Sequence, residues 1–408
     1  MITVIASAKY FCIRYSKATF LSIGEALRRC QIFLKNGMKC MKIIYISNST
    51  LPSMYANSVH VMKMCENFSL NNHQVTLLGF SGEGGDVFDF YNVQKRFDIT
   101  LINKTSSNNR IYNIFKRLSK IRKAMQIARK NHDLVYTRCI ISAILFGVIK
   151  KRRTVFEYHS VGNTRFRKLC ESMLIKYGSQ VRHIFVTKAM QCCYLENFPN
   201  LKSRDYITIP NGANEINLTV KDIAPGKLSC GYLGSFINGK GIEMVLALAK
   251  ELPETNFHII GGEKKIIEKY KLQYSYENIV WHGFLKQKEA FNILAEKIDI
   301  ALLPNKSQMI LSKGNDIGEY TSPIKLLEYM SFAKAIVASD LPVLRELITH
   351  EVNALLVDSE NISEWIQAIK RLQADNQLLK TIRLNAYTDL IEKYSWRMRS
   401  RKCLENIL

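Results

Sequence analysis

From Met41 onward, short apolar runs alternate with helix-period stretches, and the alternation begins again past the middle of the chain. Ile43–Ile46, Val75–Leu78, Leu134–Thr137, Val155–Tyr158, Ile184–Thr187 and Ile207–Ile209 read as strands, with helical stretches such as Ser58–Leu70 between them. Alternation of this kind implies parallel strands joined by crossover helices. Asn217–Lys227 shows no period, contains Pro225-Gly226 and reads as a linker. Strands follow at Cys230–Leu233, Phe257–Ile260, Ile279–Trp281, Ile298–Leu303 and Ala335–Ser339, separated by helices at Ile242–Glu251, Lys288–Glu296, Ile324–Phe332 and Ile362–Leu372. The 408 residues therefore predict an α/β protein of two doubly wound, Rossmann-like domains facing a cleft, residues 41–220 and 221–385. A helical segment, 386–408, packs back on the first domain. Ligands in such sheets bind beyond the carboxyl ends of the strands.

Charge separates the two halves. Residues 1–220 carry 33 Lys+Arg against 12 Asp+Glu, whereas residues 221–408 carry 25 against 23. The basic excess belongs to the first half and suggests a polyanionic partner there. Its densest block, Arg110–Lys130, has eight basic residues and no acid, with Ile114, Leu118, Ile121, Met125 and Ala128 at helical spacing. Such a helix suits an anionic lipid surface, and it equally suits a solvated face whose apolar stripe lies in the core. Nucleic acid is not expected, because the block has few aromatics for base stacking and no recognisable nucleic-acid module. No run approaches the roughly 18 apolar residues of a membrane span. Ten cysteines without CxxC spacing indicate reduced thiols in a cytoplasmic protein, without a disulfide framework or zinc site. Residues 1–40 are basic, and Met41 looks like a fresh start. They read as an upstream start or a dispensable extension, with a transit peptide as the alternative.

Two constellations carry chemistry. Gly234-Ser235-Phe236-Ile237-Asn238-Gly239-Lys240-Gly241 lies between a strand and a helix, where glycines let amides approach a phosphate and Lys240 adds a cation. It nearly matches the P-loop pattern, but Gly241 replaces the Ser/Thr that would hold magnesium, which disfavours an NTPase. In Ser322-Pro323-Ile324-Lys325-Leu326-Leu327-Glu328, Ser322 is the expected N-cap and Pro323 the first helical residue. The free amides of that turn would face a diphosphate. Glu328, on the same helix, can accept both hydroxyls of a ribose. A glycine turn and a capped surface helix are the plainer readings of these two segments.

The second half resembles the nucleotide-binding domain of GT-B glycosyltransferases, specifically the retaining family 4 group, in its Ser-Pro-x-Lys-x-x-Glu-Tyr-Met version. The resemblance rests on Gly234…Lys240-Gly241, His282-Gly283-Phe284-Leu285, Ser322–Met330, Ala335–Pro342 and Asn353–Val357. The first half adds Asn57-Ser58-Val59-His60-Val61, Asn72-His73-Gln74-Val75, Phe156-Glu157-Tyr158-His159 and Pro210-Asn211-Gly212. It implies that residues 41–220 bind the acceptor and residues 221–385 the nucleotide sugar. Lys240 and the amides around Gly234-Ser235 and Ile324-Lys325 would hold the donor diphosphate. Glu328 would bind the ribose and Gly283-Phe284-Leu285 the base. His159 would face the donor sugar, and Asn57-Ser58 would close on sugar or acceptor. The chain departs from the family at Tyr320, where the commoner pattern has a glutamate, at Ser235 in place of an arginine, and at Ala56-Asn57 in place of Gly-Gly.

The implied activity is retaining transfer of a hexose-type sugar from a nucleoside-diphosphate donor by front-face displacement, with Lys240, Lys325 and helix amides stabilising the leaving diphosphate. No DxD-like motif stands near the site, so no metal or other cofactor is expected. With the basic first half, the expected setting is a glycan or lipid-linked acceptor at the cytoplasmic membrane face, in cell-surface polysaccharide assembly. A GT-B sugar-nucleotide epimerase and a non-catalytic polyanion-binding protein are the alternatives.

Overall fold

The computed structural model describes residues 40–53, 55–103, 119, 122–126, 132–162, 164–218, 228–308, 318–320 and 322–407. Most of Arg110–Lys130, nearly all of 1–40 and most of the linker Asn217–Lys227 lie outside the described residues. Lys42–Leu408 cluster as one unit, in which two sheets are built from strands predicted by the apolar runs and from two that were not.

The first sheet contains β1 (Lys42–Leu51), β2 (Gln74–Ser81), β3 (Asp98–Ile102), β4 (Leu134–Thr137), β5 (Thr154–Tyr158), β6 (Val181–Phe185) and β7 (Asp205–Thr208). Their order is β3-β2-β1-β4-β5-β6-β7, and every neighbouring pair is parallel. The second sheet contains β8 (Cys230–Leu233), β9 (Phe257–Ile260), β10 (Ile279–Gly283), β11 (Ile300–Leu303), β12 (Ala335–Ser339) and β13 (Leu355–Val357), in the order β10-β9-β8-β11-β12-β13, again all parallel. Each order reverses beside its first strand, between β1 and β4 and between β8 and β11. These are the positions where doubly wound sheets open a crevice for ligands.

The second sheet is apolar on both faces because helices cover both. Along β11, Ile300 and Leu302 enter one apolar layer with Val245, Leu246 and Trp365. Ala301 and Leu303 enter the opposite layer with Leu326, Leu327 and Met330. Side chains two residues apart share a face, so a continuous run such as Ile-Ala-Leu-Leu serves both layers. β3 and β13 escaped the sequence reading for different reasons. β3 is a half-exposed edge strand with a polar start, and β13 is three residues long.

Four helices position the site: α1 (Ala56–Leu70), α2 (Arg165–Tyr177), α3 (Lys188–Asn197) and α4 (Ile242–Glu251). A fifth, α5 (Ile324–Ser331), underlies the second sheet, and the last, α6 (Trp396–Leu404), returns to the first half. Its Arg399 is 1% exposed and lies 3.1 Å from Glu157 of β5. A second contact of α6 spans still more of the chain: the Asn71 amide donates to Ser400 Oγ at 2.7 Å, 329 positions away. Three further links join the halves. Ala213 bridges to Ser395, Asn211 N–H donates to Ser322 Oγ at 3.0 Å, and the Glu346 carboxylate accepts from the first amides of α3, Lys188 at 2.7 Å and Ala189 at 3.1 Å. Gly212 is needed where it stands, since a Cβ there would sit 2.8 Å from the Trp396 ring.

Removing one partner of a buried ion pair strands the other charge, at a cost of about 3–5 kcal/mol. Arg399→Met is therefore expected to lower unfolding free energy by about that amount in urea titrations. Adding Glu157→Gln should recover a large part of it. Strictly additive losses in the double-mutant cycle would contradict the pairing.

Candidate functional site

Two clusters gather the residues singled out from the sequence. The first lies at the carboxyl ends of β8, β9 and β10 and the start of α5. Leu233, closing β8, donates its N–H to Tyr329 Oη at 2.9 Å, and that hydroxyl lies 3.3 Å from the Leu302 carbonyl. The tyrosine thus fixes α5 against the loop that begins at Gly234. That loop turns through Gly239 and Gly241, both at positive φ, and the Lys306 amide donates to the Gly239 carbonyl at 2.9 Å. At Gly241 a Cβ would lie 1.7 Å from the Pro304 carbonyl oxygen, so only glycine fits before α4.

Lys240 is half-buried. Burial lowers its pKa, and the charge of Lys325 lowers it further, with no carboxylate among the described residues opposing either. Lys325 in turn donates to Glu328 Oε2 at 2.8 Å, three residues along α5, and Glu328 is buried. Two ammonium groups and one carboxylate therefore stand at the head of a helix, with one positive charge unbalanced.

Ser322 is not the N-cap. Its hydroxyl accepts from Asn211 N–H, and its carbonyl accepts from the Asn211 side-chain amide at 3.1 Å. The helix starts at Ile324, with Pro323 in the capping position instead of the first helical one and no side-chain cap. Among the described residues no side chain caps α5, so its first-turn amides keep their positive potential. Gly283 ends β10, its carbonyl accepting from Gly261 N–H at 2.7 Å. Phe284 is 63% exposed, whereas Leu285 packs on the core layer beneath α5. Ser235 is exposed. The pair Gly261-Gly262, both at positive φ, was missed. Its signal was available, as a double glycine directly after a strand.

The second cluster surrounds an open polar cavity of about 210 Å³ in the first half, lined in part by Ser47, Asn57, Arg138, Glu157, His159 and Arg167. β1 loses register with β2 between Ile46 and Thr50, and Ser47, within that stretch, lines this space. Asn57 donates to Ser49 Oγ at 2.8 Å. Ser58 is buried and occupied internally, with Ser53 Oγ at 2.6 Å and the Thr50 carbonyl at 3.1 Å. It braces the loop.

Glu157 is the hub of the cavity floor. Its carboxylate accepts from Tyr136 and His159, receives Arg399 at 3.1 Å and lies 2.9 Å from His60 Nε2. Burial would raise its pKa, but Arg399 foremost, with His60 and His159, holds it well below the carboxylate range. Both histidines are pushed down by burial, His60 to about 4 and His159 well below its ordinary value. Neutral His159 donates through Nε2 to Glu157 and keeps Nδ1 as an acceptor. His60, Glu157 and His159 offer three atoms within 4.8 Å, the spacing of a metal site. A guanidinium already paired to the same carboxylate makes the trio a poor cation site. Among the hub residues the sequence pointed only to His159. Arg399 lies 242 positions from Glu157, and no local pattern could join them.

Residues 215–389 match the family described as glycosyl transferases group 1. A curated relative, an uncharacterized glycosyltransferase of Haemophilus influenzae, is 24% identical over 299 residues, covering 69% of this chain and 78% of that one. Among solved structures, Anabaena HepE in complex with UDP and glucose superposes with a TM-score of 0.66 at 15% identity, over 90% of this chain and 99% of that one. The apo form of WaaB, a lipopolysaccharide outer core galactosyltransferase, gives 0.62 at 16% identity over 90% and 99%. The two parallel sheets define a GT-B architecture. The family match is confined to residues 215–389, and together with the curated relative it supports a transferase.

The buried histidines set a pH dependence. His60 titrates near 4 when folded and near 6.5 when unfolded, so the unfolded chain binds more protons in that window. The stability this group contributes is complete above pH 6.5 and is lost as pH falls toward 4. Tm is expected to drop across this range, and His60→Asn should flatten the slope. An unchanged slope in the variant would contradict the assignment.

Proposed function

We propose that the chain is a retaining, family 4-type glycosyltransferase moving a hexose-type sugar from a nucleoside-diphosphate donor to a glycan or lipid-linked acceptor at the cytoplasmic membrane face. The supporting observation is Lys240, half-buried, unopposed by any carboxylate among the described residues, and close enough to Lys325 for their charges to interact. Two cations and uncapped helix amides in one place favour an anion with several oxygens, as a diphosphate offers. Glu328, braced by Lys325, suits the ribose hydroxyls, and the exposed Phe284 beside Gly283 suits the base.

As the bond from the anomeric carbon to the diphosphate breaks, negative charge grows on the leaving group. Lys240, Lys325 and the α5 amides would stabilise it in place. These cations supply the charge a metal would otherwise provide, so the reaction is read as metal-independent. His159 Nδ1 and Asn57 would orient the donor sugar or the acceptor from the first half. HepE was solved with UDP and glucose, so UDP-sugars head the list of donors to try.

The acceptor reading rests on charge and on α2. Phe166, Leu169, Met173 and Tyr177 are 65%, 60%, 39% and 56% exposed and follow one another at helical spacing along one face. Exposed Arg165, Lys168 and Lys176 flank them. An apolar stripe edged with cations matches an anionic lipid surface. No helix among the described residues is long and apolar enough to cross a membrane, so contact would be peripheral.

Two measurements test these readings. Lys240→Ala and Glu328→Ala are each expected to lower turnover roughly tenfold or more, and wild-type rates in both would refute the donor site. Binding to phosphatidylglycerol-containing vesicles should weaken with salt and fall roughly tenfold or more in Phe166→Ser/Leu169→Ser, given about 1.5–3 kcal/mol for each large apolar side chain buried. Salt-insensitive or absent binding would remove the membrane from the account.

A further inference from the structure

Arg138 follows β4 and reaches the first-half cavity beside His159. It is half-buried, and its Nη1 is buried without a hydrogen-bond partner. Among the described residues that line the cavity, the other charges are balanced. Glu157 is matched by Arg399. Arg167 donates to Glu171 at 2.5 Å and lies over the Phe156 ring at 5.7 Å. The histidines are neutral, and Arg138 is itself one of the charges that keep them so. Among the described residues, Arg138 is thus the guanidinium left uncompensated, held in a polar cavity among hydroxyl, amide and imidazole groups that suit a sugar.

We propose that this cavity binds a sugar bearing one anionic substituent, a carboxylate or a phosphate, and that Arg138 is the residue that selects it. A guanidinium offers two parallel N–H donors that match the oxygens of either group. A neutral sugar would leave a buried donor and a buried charge unmet, which is a strong basis for rejection. Asn57 and His159 Nδ1 would hold hydroxyls of the same ring. The anion could belong to the sugar of the donor or to the acceptor. Only that attribution rests on the donor-site reading above, since the cavity and its charge stand without it.

The test uses the full chain and calorimetric titration in two arms. In the donor arm, UDP-glucose is compared with UDP-glucuronate, and GDP-mannose with GDP-mannuronate. In the acceptor arm, methyl glucoside is compared with methyl glucuronide and with glucose 6-phosphate, each with and without saturating nucleoside diphosphate. The wild type should bind the anionic member at least tenfold tighter in one arm, and that arm identifies the source. Arg138→Gln should bring the two members to parity, while Arg138→Lys should keep part of the preference. Equal binding of anionic and neutral members in both arms would overturn the proposal, as would a preference unchanged in Arg138→Gln. The wild-type comparison decides even where a variant fails to fold. Failure of the donor site would appear separately, as absence of nucleotide binding, and the acceptor arm without nucleotide would still report on Arg138.

Discussion

A carboxylate on the central part of a parallel sheet, sealed from water, is costly unless several groups answer its charge. Glu157 is in that position, and the groups that answer it come from four places in the chain. Arg399 arrives from the last helix, Tyr136 from β4, His60 from α1 and His159 from the residue just past β5. The sheet cannot hold this residue without α6 in place, so the end of the chain is tied to the first half by an electrostatic requirement. The same arrangement sets the state of His159. With Arg399 balancing Glu157, the imidazole stays neutral and shows an acceptor to the cavity. Fold and site therefore depend on one buried pair.

The second half applies the opposite logic. At the head of α5 the positive charge is left unsatisfied, because Lys240 has Lys325 as its charged neighbour and the helix has no side-chain cap. Ser322 could have capped it but is drawn away by Asn211. That one exchange links the halves at the point where they must meet and leaves the helix amides free of internal competition. Unmet positive potential of this kind costs folding energy, and an anionic ligand repays it on binding.

Much of the architecture was legible because a parallel sheet covered on both faces writes its strands as short apolar runs. The Lys240 loop and the α5 segment stood out because glycines, a proline and lysines sit close together in sequence. Ser322 was misread because capping propensity is local and its competitor, Asn211, lies 111 residues away. Ser58 is buried and bonded to Ser53 and the Thr50 carbonyl, and those hydrogen bonds could not be inferred without the irregular end of β1. Arg138 and Arg167 drew no notice as single arginines in a basic half. Only the fold shows that one is paired and the other is not.

The central claim is that the head of α5 and the Lys240 loop form a nucleoside-diphosphate site. Its most direct test compares UDP, GDP and ADP with uridine, guanosine and adenosine by calorimetric titration. One diphosphate should bind in a salt-sensitive manner, and its nucleoside should bind at least a hundredfold more weakly, since the cations and amides act on the phosphates. A nucleoside that binds as well as its diphosphate, or no binding by any of the six, would contradict the account.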